Sequence, residues 1–265
     1  MANVEEAKGA TPGYNMMELM ICVASRYLED GKTVAVGTGA PCAAAMLAQC
    51  IYSPNLVILF EAGGVAPVLP EMPISVGDSR TFYKAVMAAG MAEMMTTCAR
   101  GLVDYAFLGG AQIDRYGNIN STCIGDYAKP KVRFPGSGGG NDFASLCWKT
   151  MIMTVHEKAR FVEKCDFITS PGFLTGKGAR EAAGLPEGGP HKIITDLAVM
   201  GFDEKTSAMM IESLNPDVTV EQVQEATGFE LIVPQEIGST EPPTDEELCK
   251  LREEVDPLRM VIGRG

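Results

Sequence analysis

The chain has 265 residues, 46% of them hydrophobic, and a formal net charge of −12. That length suits one large α/β domain or two small ones, and the apolar share builds a proper core and excludes a disordered chain. The acidic balance argues against nucleic acid or an anionic membrane as the general partner, while leaving room for a local basic pocket.

Eight cysteines (Cys22, Cys42, Cys50, Cys98, Cys123, Cys147, Cys165 and Cys249) are scattered, mostly within apolar runs, and none forms a C-x-x-C pair. This spacing speaks against a zinc site or a disulfide framework and for buried, reduced thiols in a cytoplasmic protein. The two histidines, His156 and His191, are too few and too far apart for a metal cluster, so no metal is expected. Met16 to Leu28 is the most apolar N-terminal stretch, but Glu18 and Arg26 interrupt it and an acidic segment precedes it. It is neither a signal peptide nor a membrane span.

In chain order, residues 1–14 read as a flexible N-terminal arm, polar and carrying Gly9, Pro12 and Gly13. Asn15 and Glu18 have the spacing of a capping box, and helical periodicity then runs from Met16 to about Glu29. Thr33–Val36 is a short strand, followed by the loop Gly37-Thr38-Gly39-Ala40-Pro41 and an Ala-rich helix from Cys42 to Ile51. With the next strand, Leu56–Phe60, this makes a βαβ unit, expected to be right-handed. The Gly37/Gly39 pair invites a dinucleotide-site reading, but Cys42 stands where the third glycine of G-x-G-x-x-G belongs, and a tight turn with a proline at a helix start explains the loop.

The run Leu56-Val57-Ile58-Leu59-Phe60 reads as a fully buried parallel strand, and it ends abruptly in Glu61-Ala62-Gly63-Gly64. Ligands bind beyond the carboxyl ends of strands in open α/β sheets, so Glu61 stands where chemistry is done. On position alone it is a nucleophile, a general base, or a group tied to nearby backbone amides.

A Pro/Gly-rich connection without periodicity fills Gly63 to Arg80, and a Met-rich helix with core-filling methionines is expected over Thr81–Ala99. Val103–Leu108 is another buried strand ending in glycines, Gly109-Gly110, followed by a polar segment from Ala111 to Thr122. That segment is either a well-paired turn or a pocket wall. Gly136-Ser137-Gly138-Gly139-Gly140 then leads into Asn141-Asp142-Phe143-Ala144, the start of a short helix. Such a loop lets bare N–H groups converge on an anion or oxyanion; the alternative is a flexible linker. Further strands are expected at Met151–Val155, Asp166–Thr169, Lys192–Thr195 and Ala198–Phe202, with helices at Thr219–Thr227 and Thr244–Val255, the last opened by a Thr244/Glu247 capping box. No linker divides the chain, so residues 15–265 are expected to form one α/β domain around an open, mostly parallel sheet with flanking helices.

The ordered set Glu61-Ala62-Gly63, Gly109-Gly110-Ala111-Gln112-Ile113-Asp114, Gly117-Asn118-Ile119-Asn120-Ser121, Gly136–Asp142, Thr195–Val199, Thr219–Val223 and Thr227-Gly228-Phe229 resembles the β subunit of family I CoA-transferases, that of glutaconate CoA-transferases above all. The resemblance covers the chain from about Met16 to Ile262. It implies a CoA-transferase-like, Rossmann-related fold and a homologous α subunit as partner in a heterodimer or larger hetero-oligomer. It also implies coenzyme A as cosubstrate, with no permanently bound cofactor. Glu61 falls on the family's nucleophile, which passes through an acyl-glutamyl anhydride to a glutamyl-CoA thioester in a ping-pong cycle.

A carboxylate nucleophile needs no base, and the amides of Gly138, Gly139 and Gly140 are suited to the oxyanion, with Gly139 and Gly140 expected nearest and Asn141 lining the same pocket. Gly63, Gly109, Gly110, Gln112, Asn118 and Asn120 are expected as pocket wall. Lys129, Lys131 and Arg133 are candidates for the CoA phosphates, the alternative being a solvated basic edge. The acid is expected to be short, and dicarboxylic like glutaconate. Two other functions fit the same fold: an acyl-CoA decarboxylase or ring-opening hydrolase using Glu61 as base, and a non-catalytic CoA-binding partner subunit.

Overall fold

The structure, a computed structural model, describes residues 13–263; most of the expected N-terminal arm, residues 1–12, lies outside the described residues. The remainder of that arm is tied down, for Arg252 Nη2 donates to the Gly13 carbonyl at 2.6 Å and Tyr14 packs on the core.

The capping box at Asn15 opens α1 (Met16–Arg26), with the Glu18 N–H donating to Asn15 Oδ1 at 3.0 Å and the Asn15 N–H to Glu18 Oε2 at 2.8 Å. The chain continues through β1 (Thr33–Val36), α2 (Ala40–Ile51), β2 (Val57–Phe60), β3 (Gly64–Val65), β4 (Met87–Ala88), α3 (Met91–Ala99) and β5 (Tyr105–Leu108). Four two-residue strands follow as hairpins: β6 (Gln112–Ile113) with β7 (Ile119–Asn120), and β8 (Cys123–Ile124) with β9 (Val132–Arg133). Then come α4 (Gly140–Leu146), β10 (Lys149–Thr154), α5 (Ala179–Ala182), β11 (Gly189–Thr195), β12 (Ala198–Phe202), β13 (Met209–Leu214), α6 (Val220–Glu225), β14 (Gly238–Ser239) and α7 (Asp245–Lys250).

Ten strands join in one sheet in the order β14-β13-β12-β11-β10-β5-β1-β2-β3-β4. Its middle, β11-β10-β5-β1-β2, is parallel, and both flanks turn antiparallel at β12 and β3. The open, mostly parallel α/β sheet expected from the sequence is therefore present. Alternation along the central strands builds two layers of core. Val34, Val36, Ile58, Phe60, Tyr105 and Phe107 face α1 and α2. Ala35, Leu59 and Ala106 face α3 and α4 through Met94, Cys98, Phe143 and Cys147. Six cysteines are buried, Cys50 and Cys249 are exposed, and all eight are free. No helix among the described residues is long and apolar enough to cross a membrane.

Two expected elements differ. The helix expected over Thr81–Ala99 begins only at Met91, because Lys84 sits at φ +50° and Met87–Ala88 pairs with β3; Gly90 starts the helix, its N–H donating to Glu93 Oε2 at 3.0 Å. Of its methionines Met94 is buried, whereas Met91 is exposed to solvent. Asp166–Thr169 is not a strand of the sheet: the Asp166 N–H donates to the Gln112 side chain at 3.0 Å and the Thr169 N–H to Ile119 O at 2.9 Å, which lays the segment beside β7. The sequence reading also missed β13, a six-residue strand.

Candidate active site

β1, β2 and β5 lie side by side and parallel, with Val36 level with Phe60 and Ala35 level with Ala106. Their carboxyl ends therefore deliver Gly37, Glu61 and Gly109 to one edge of the sheet. At Glu61 the chain must turn at once. The Gly63 N–H donates to Phe60 O at 2.9 Å, closing a turn that carries Glu61 as its second residue. Gly63 takes φ +117°, and a side chain there would overlap the Ala89 carbonyl, so glycine is required. This turn releases the strand from the sheet and leaves the Glu61 carboxylate half-buried at its edge.

The glycine-rich loop arrives from the other side. The Gly136 N–H donates to Ser121 O at 3.0 Å and Ser121 Oγ to Gly136 O at 2.9 Å, so the loop is anchored rather than a free linker. The Gly139 N–H donates to Glu61 Oε1 at 2.9 Å. Contact is close enough that a β-carbon on Gly139 would lie 2.7 Å from Oε1 and 3.1 Å from Met95 Cε. Gly138, exposed and at φ +50°, turns the chain into this position. The Gly140 N–H is not directed at Glu61: it donates to Ser137 O at 2.8 Å, which closes the turn that starts α4. Gly139 is thus the donor in place, and Gly140 contributes its bare Cα.

Together these elements enclose a cleft of about 170 Å³. Its walls are Ala35, Val36 and Gly37 after β1, Phe107, Leu108 and Gly109 at the end of β5, Ser137, Gly140 and Phe143 around the start of α4, and Val76 from the long loop. Glu61 is the one ionisable side chain among them. The two histidines stand elsewhere. His156 is buried, stacked on Phe161 at 4.1 Å between ring centroids, with its ring nitrogens 3.1 and 2.9 Å from the hydroxyls of Thr195 and Thr227. Burial pushes its imidazole down to about 4, and burial with Lys192 and Lys149 nearby does the same to His191.

Several expected pocket residues are used for bracing instead. Asn120 Nδ2 donates to Gln112 Oε1 at 2.7 Å and to Cys123 O at 2.6 Å, while Gln112 Nε2 donates to Asp166 Oδ2 at 3.1 Å. Asn118 Nδ2 donates to the Asp114 carboxylate and to Leu174 O, and its Oδ1 accepts from Gly172 and Leu174. All three amides are buried with both ends satisfied, so they stiffen the β6–β7 hairpin and do not wall the cleft. Gly110 packs against Ile119 and Asn120, and Gly63 against the Ala89 carbonyl; of the six expected wall residues only Gly109 lines the cleft.

Asn141 Nδ2 donates to Thr169 O at 2.9 Å and so pins the start of α4 rather than facing Glu61. Lys129, Lys131 and Arg133 are all exposed on the β8–β9 hairpin, which leads directly into the glycine loop. The sequence reading missed Val36, Gly37 and Leu108, which the rule of adjacent strand ends points to once strand order is known. Val76, Ser137, Phe143 and Met95 carried no sequence signal of their own.

Residues 17–226 match the family model described as Coenzyme A transferase. The chain belongs to the Coenzyme A transferase family. It is 40% identical to the β subunit of glutaconate CoA-transferase from Acidaminococcus fermentans over 94% of this chain and 95% of that one. It is 39% identical to the corresponding subunit of 3-oxoadipate CoA-transferase from Pseudomonas knackmussii, with 90% and 92% covered. The crystal structure of glutaconate coenzyme A-transferase from Acidaminococcus fermentans superposes with a TM-score of 0.91 at 38% identity, covering 96% of this chain and 99% of that one. The resemblance read from the sequence is borne out, and the enzyme class is CoA transfer.

Proposed function

We propose that this chain carries the nucleophile of an acyl-CoA:carboxylate CoA-transferase, and that the nucleophile is Glu61. The observation that carries the reading is the single Gly139 N–H···Oε1 bond on an otherwise unpaired carboxylate at the edge of the parallel strands. It fixes one oxygen and leaves Oε2 as the attacking atom. Oε2 adds to the thioester carbonyl and expels the CoA thiolate, giving a mixed acyl-glutamyl anhydride. The thiolate then attacks the glutamyl carbonyl, the first acid departs with the Oε2 oxygen, and a glutamyl-CoA thioester remains. The acceptor carboxylate attacks that thioester, and the same two steps in reverse return Glu61 to a carboxylate and release the new acyl-CoA. No proton is gained or lost over the cycle, which suits a cleft with neither histidine nor lysine in its lining.

In the glutamyl thioester Oε1 is the carbonyl oxygen. Gly139 N–H then serves as a preplaced donor to the charge that develops on it during each attack. The hairpin cations Lys129, Lys131 and Arg133 would meet the CoA phosphates. The acid is short and, by analogy with the substrates in the relatives' names, dicarboxylic. Its second carboxylate needs a cation that the lining residues do not supply, and a partner subunit is the natural source. Two observations support a partner: each of these relatives is named as one subunit of its enzyme, and Val68, Ile74, Tyr83, Val86 and Met91 are exposed on the segment that leads from Glu61 through Val76 to α3. A reducing compartment, the cytoplasm, suits the eight free thiols.

Oxygen tracing tests the reading. With the acceptor acid labelled by ¹⁸O in its carboxylate, one labelled oxygen should appear in the side chain of Glu61 after turnover. Label found only in water or unconsumed acid during turnover would show that no anhydride forms there.

A further inference from the structure

The β8–β9 hairpin is unusual in a chain of net charge −12: within seven residues it exposes Tyr127, Lys129, Lys131, Val132 and Arg133. Tyr127 is 57% exposed, and its ring stacks on Phe167 with centroids 5.2 Å apart and planes 23° off parallel. The Arg133 guanidinium lies 4.7 Å from the Tyr127 ring centroid and is held there by its Nη2, which donates to Tyr127 O at 2.6 Å. Phe167, Tyr127 and Arg133 therefore form a prebuilt π ladder that reaches solvent.

The cations beside it are uncommitted. Among the described residues none of Lys129, Lys131 and Arg133 is in an ion pair. The nearby carboxylates are occupied: Asp126 accepts from the Ala128 and Lys129 N–H groups, and Asp166 from the Gly125 N–H and from Gln112 Nε2. A flat aromatic surface beside three unpaired cations matches a ligand with a planar base and several phosphate charges. The six residues from Arg133 to Gly139 span at most about 20 Å, a distance that an extended pantetheine arm bridges.

We propose that this hairpin face seats the adenosine 3′-phosphate end of coenzyme A, with the adenine stacked on the Phe167–Tyr127–Arg133 ladder. The inference rests on the CoA-transferase reading for the direction of the pantetheine arm, but not for the ladder itself. Tyr127 is the middle rung, so its loss removes the support of the surface on which the base stacks, and losing one such stacking platform should cost about tenfold in affinity.

The test uses the complex with its partner subunit. Kinetics are compared with an acyl-CoA and with the corresponding acyl-pantetheine, which lacks the nucleotide, and binding of adenosine 3′,5′-bisphosphate is measured by calorimetry. Tyr127→Ala should raise KM for acyl-CoA about tenfold, leave kcat and the acyl-pantetheine KM unchanged, and weaken the bisphosphate equally; Tyr127→Phe should behave as wild type. An equal rise in KM with both thioesters, or bisphosphate binding that Tyr127→Ala does not alter, would overturn the proposal. If the complex transfers no CoA yet loses bisphosphate binding on Tyr127→Ala, the catalytic reading fails and the nucleotide seat stands.

Discussion

Three carboxylates of this fold sit in opposite surroundings, two saturated and one nearly unpaired. Glu18 and Glu247 lie in the layer of α1 and α7, and their side chains are 2% and 0% exposed. Each is saturated. Glu247 accepts from Arg26 at 2.6 and 2.8 Å, from the Tyr52 hydroxyl at 2.7 Å and from the Thr244 N–H at 2.7 Å. Glu18 accepts from Arg252 and the Asn15 N–H. Burial alone would raise both carboxyls, but the arginine and backbone bonds outweigh it and hold them below the usual range. Glu61, at the opposite extreme, has one backbone N–H and no cation in its cleft. A saturated carboxylate is held ionised and unreactive, whereas a carboxylate with one fixed oxygen and one free oxygen is oriented and still nucleophilic.

The comparison is sharpened most by exchanging the roles. Glu61→Gln keeps the shape and removes the proposed nucleophile, so thioester exchange should fall on the order of 10⁴-fold or more with the melting temperature nearly unchanged. Glu247→Gln should do the reverse. It leaves Arg26 without its counter-charge and should cost about 3 kcal/mol in urea unfolding, while turnover per folded molecule stays the same.

The buried imidazole of His156 extends the contrast to a group kept neutral. Its value in the fold is about 4, against an ordinary 6.5, so the unfolded chain takes up a proton that the folded one refuses. Its contribution is complete above pH 6.5 and is lost progressively as the pH falls toward 4, by about 3 kcal/mol at the lower end. Thermal unfolding between pH 7 and 4 should therefore be less pH-dependent in His156→Gln than in wild type; equal slopes would contradict the assignment.

Gly139→Ala is the finest cut. The backbone at φ −78° accepts alanine, but the new methyl meets Glu61 Oε1 and Met95. Activity should fall roughly 10²-fold through misplacement of the carboxylate, with stability nearly intact. Full activity in this variant would break the account of Gly139 as the orienting donor.

What was legible in the sequence was local. A buried strand stopped by Glu-Ala-Gly-Gly, and a glycine run opening a helix, each announce their geometry within a few residues. The central strands and the sheet class followed from apolar runs in the same way, whereas β13 was missed and Asp166–Thr169 is no strand of the sheet. The roles of Gln112 and Asn118 were not legible, because their partners Asp166, Gly172 and Leu174 lie some fifty residues on. A polar turn that is fully paired has the same composition as one that faces a ligand. Gly139 and Gly140 are indistinguishable as letters; only the turn bond from Gly140 to Ser137 O assigns the free donor to Gly139. The helix expected from Thr81 failed because edge pairing with β3 outweighed the helical pattern of Met and Ala.

The central claim is a covalent intermediate on Glu61, and intact-mass analysis of the complex after incubation with acyl-CoA and borohydride tests it most directly. The account predicts reduction of Glu61 to the alcohol, absent in Glu61→Ala and prevented when acceptor acid is added before the borohydride. An unmodified Glu61 while acyl-CoA is still being consumed would contradict it.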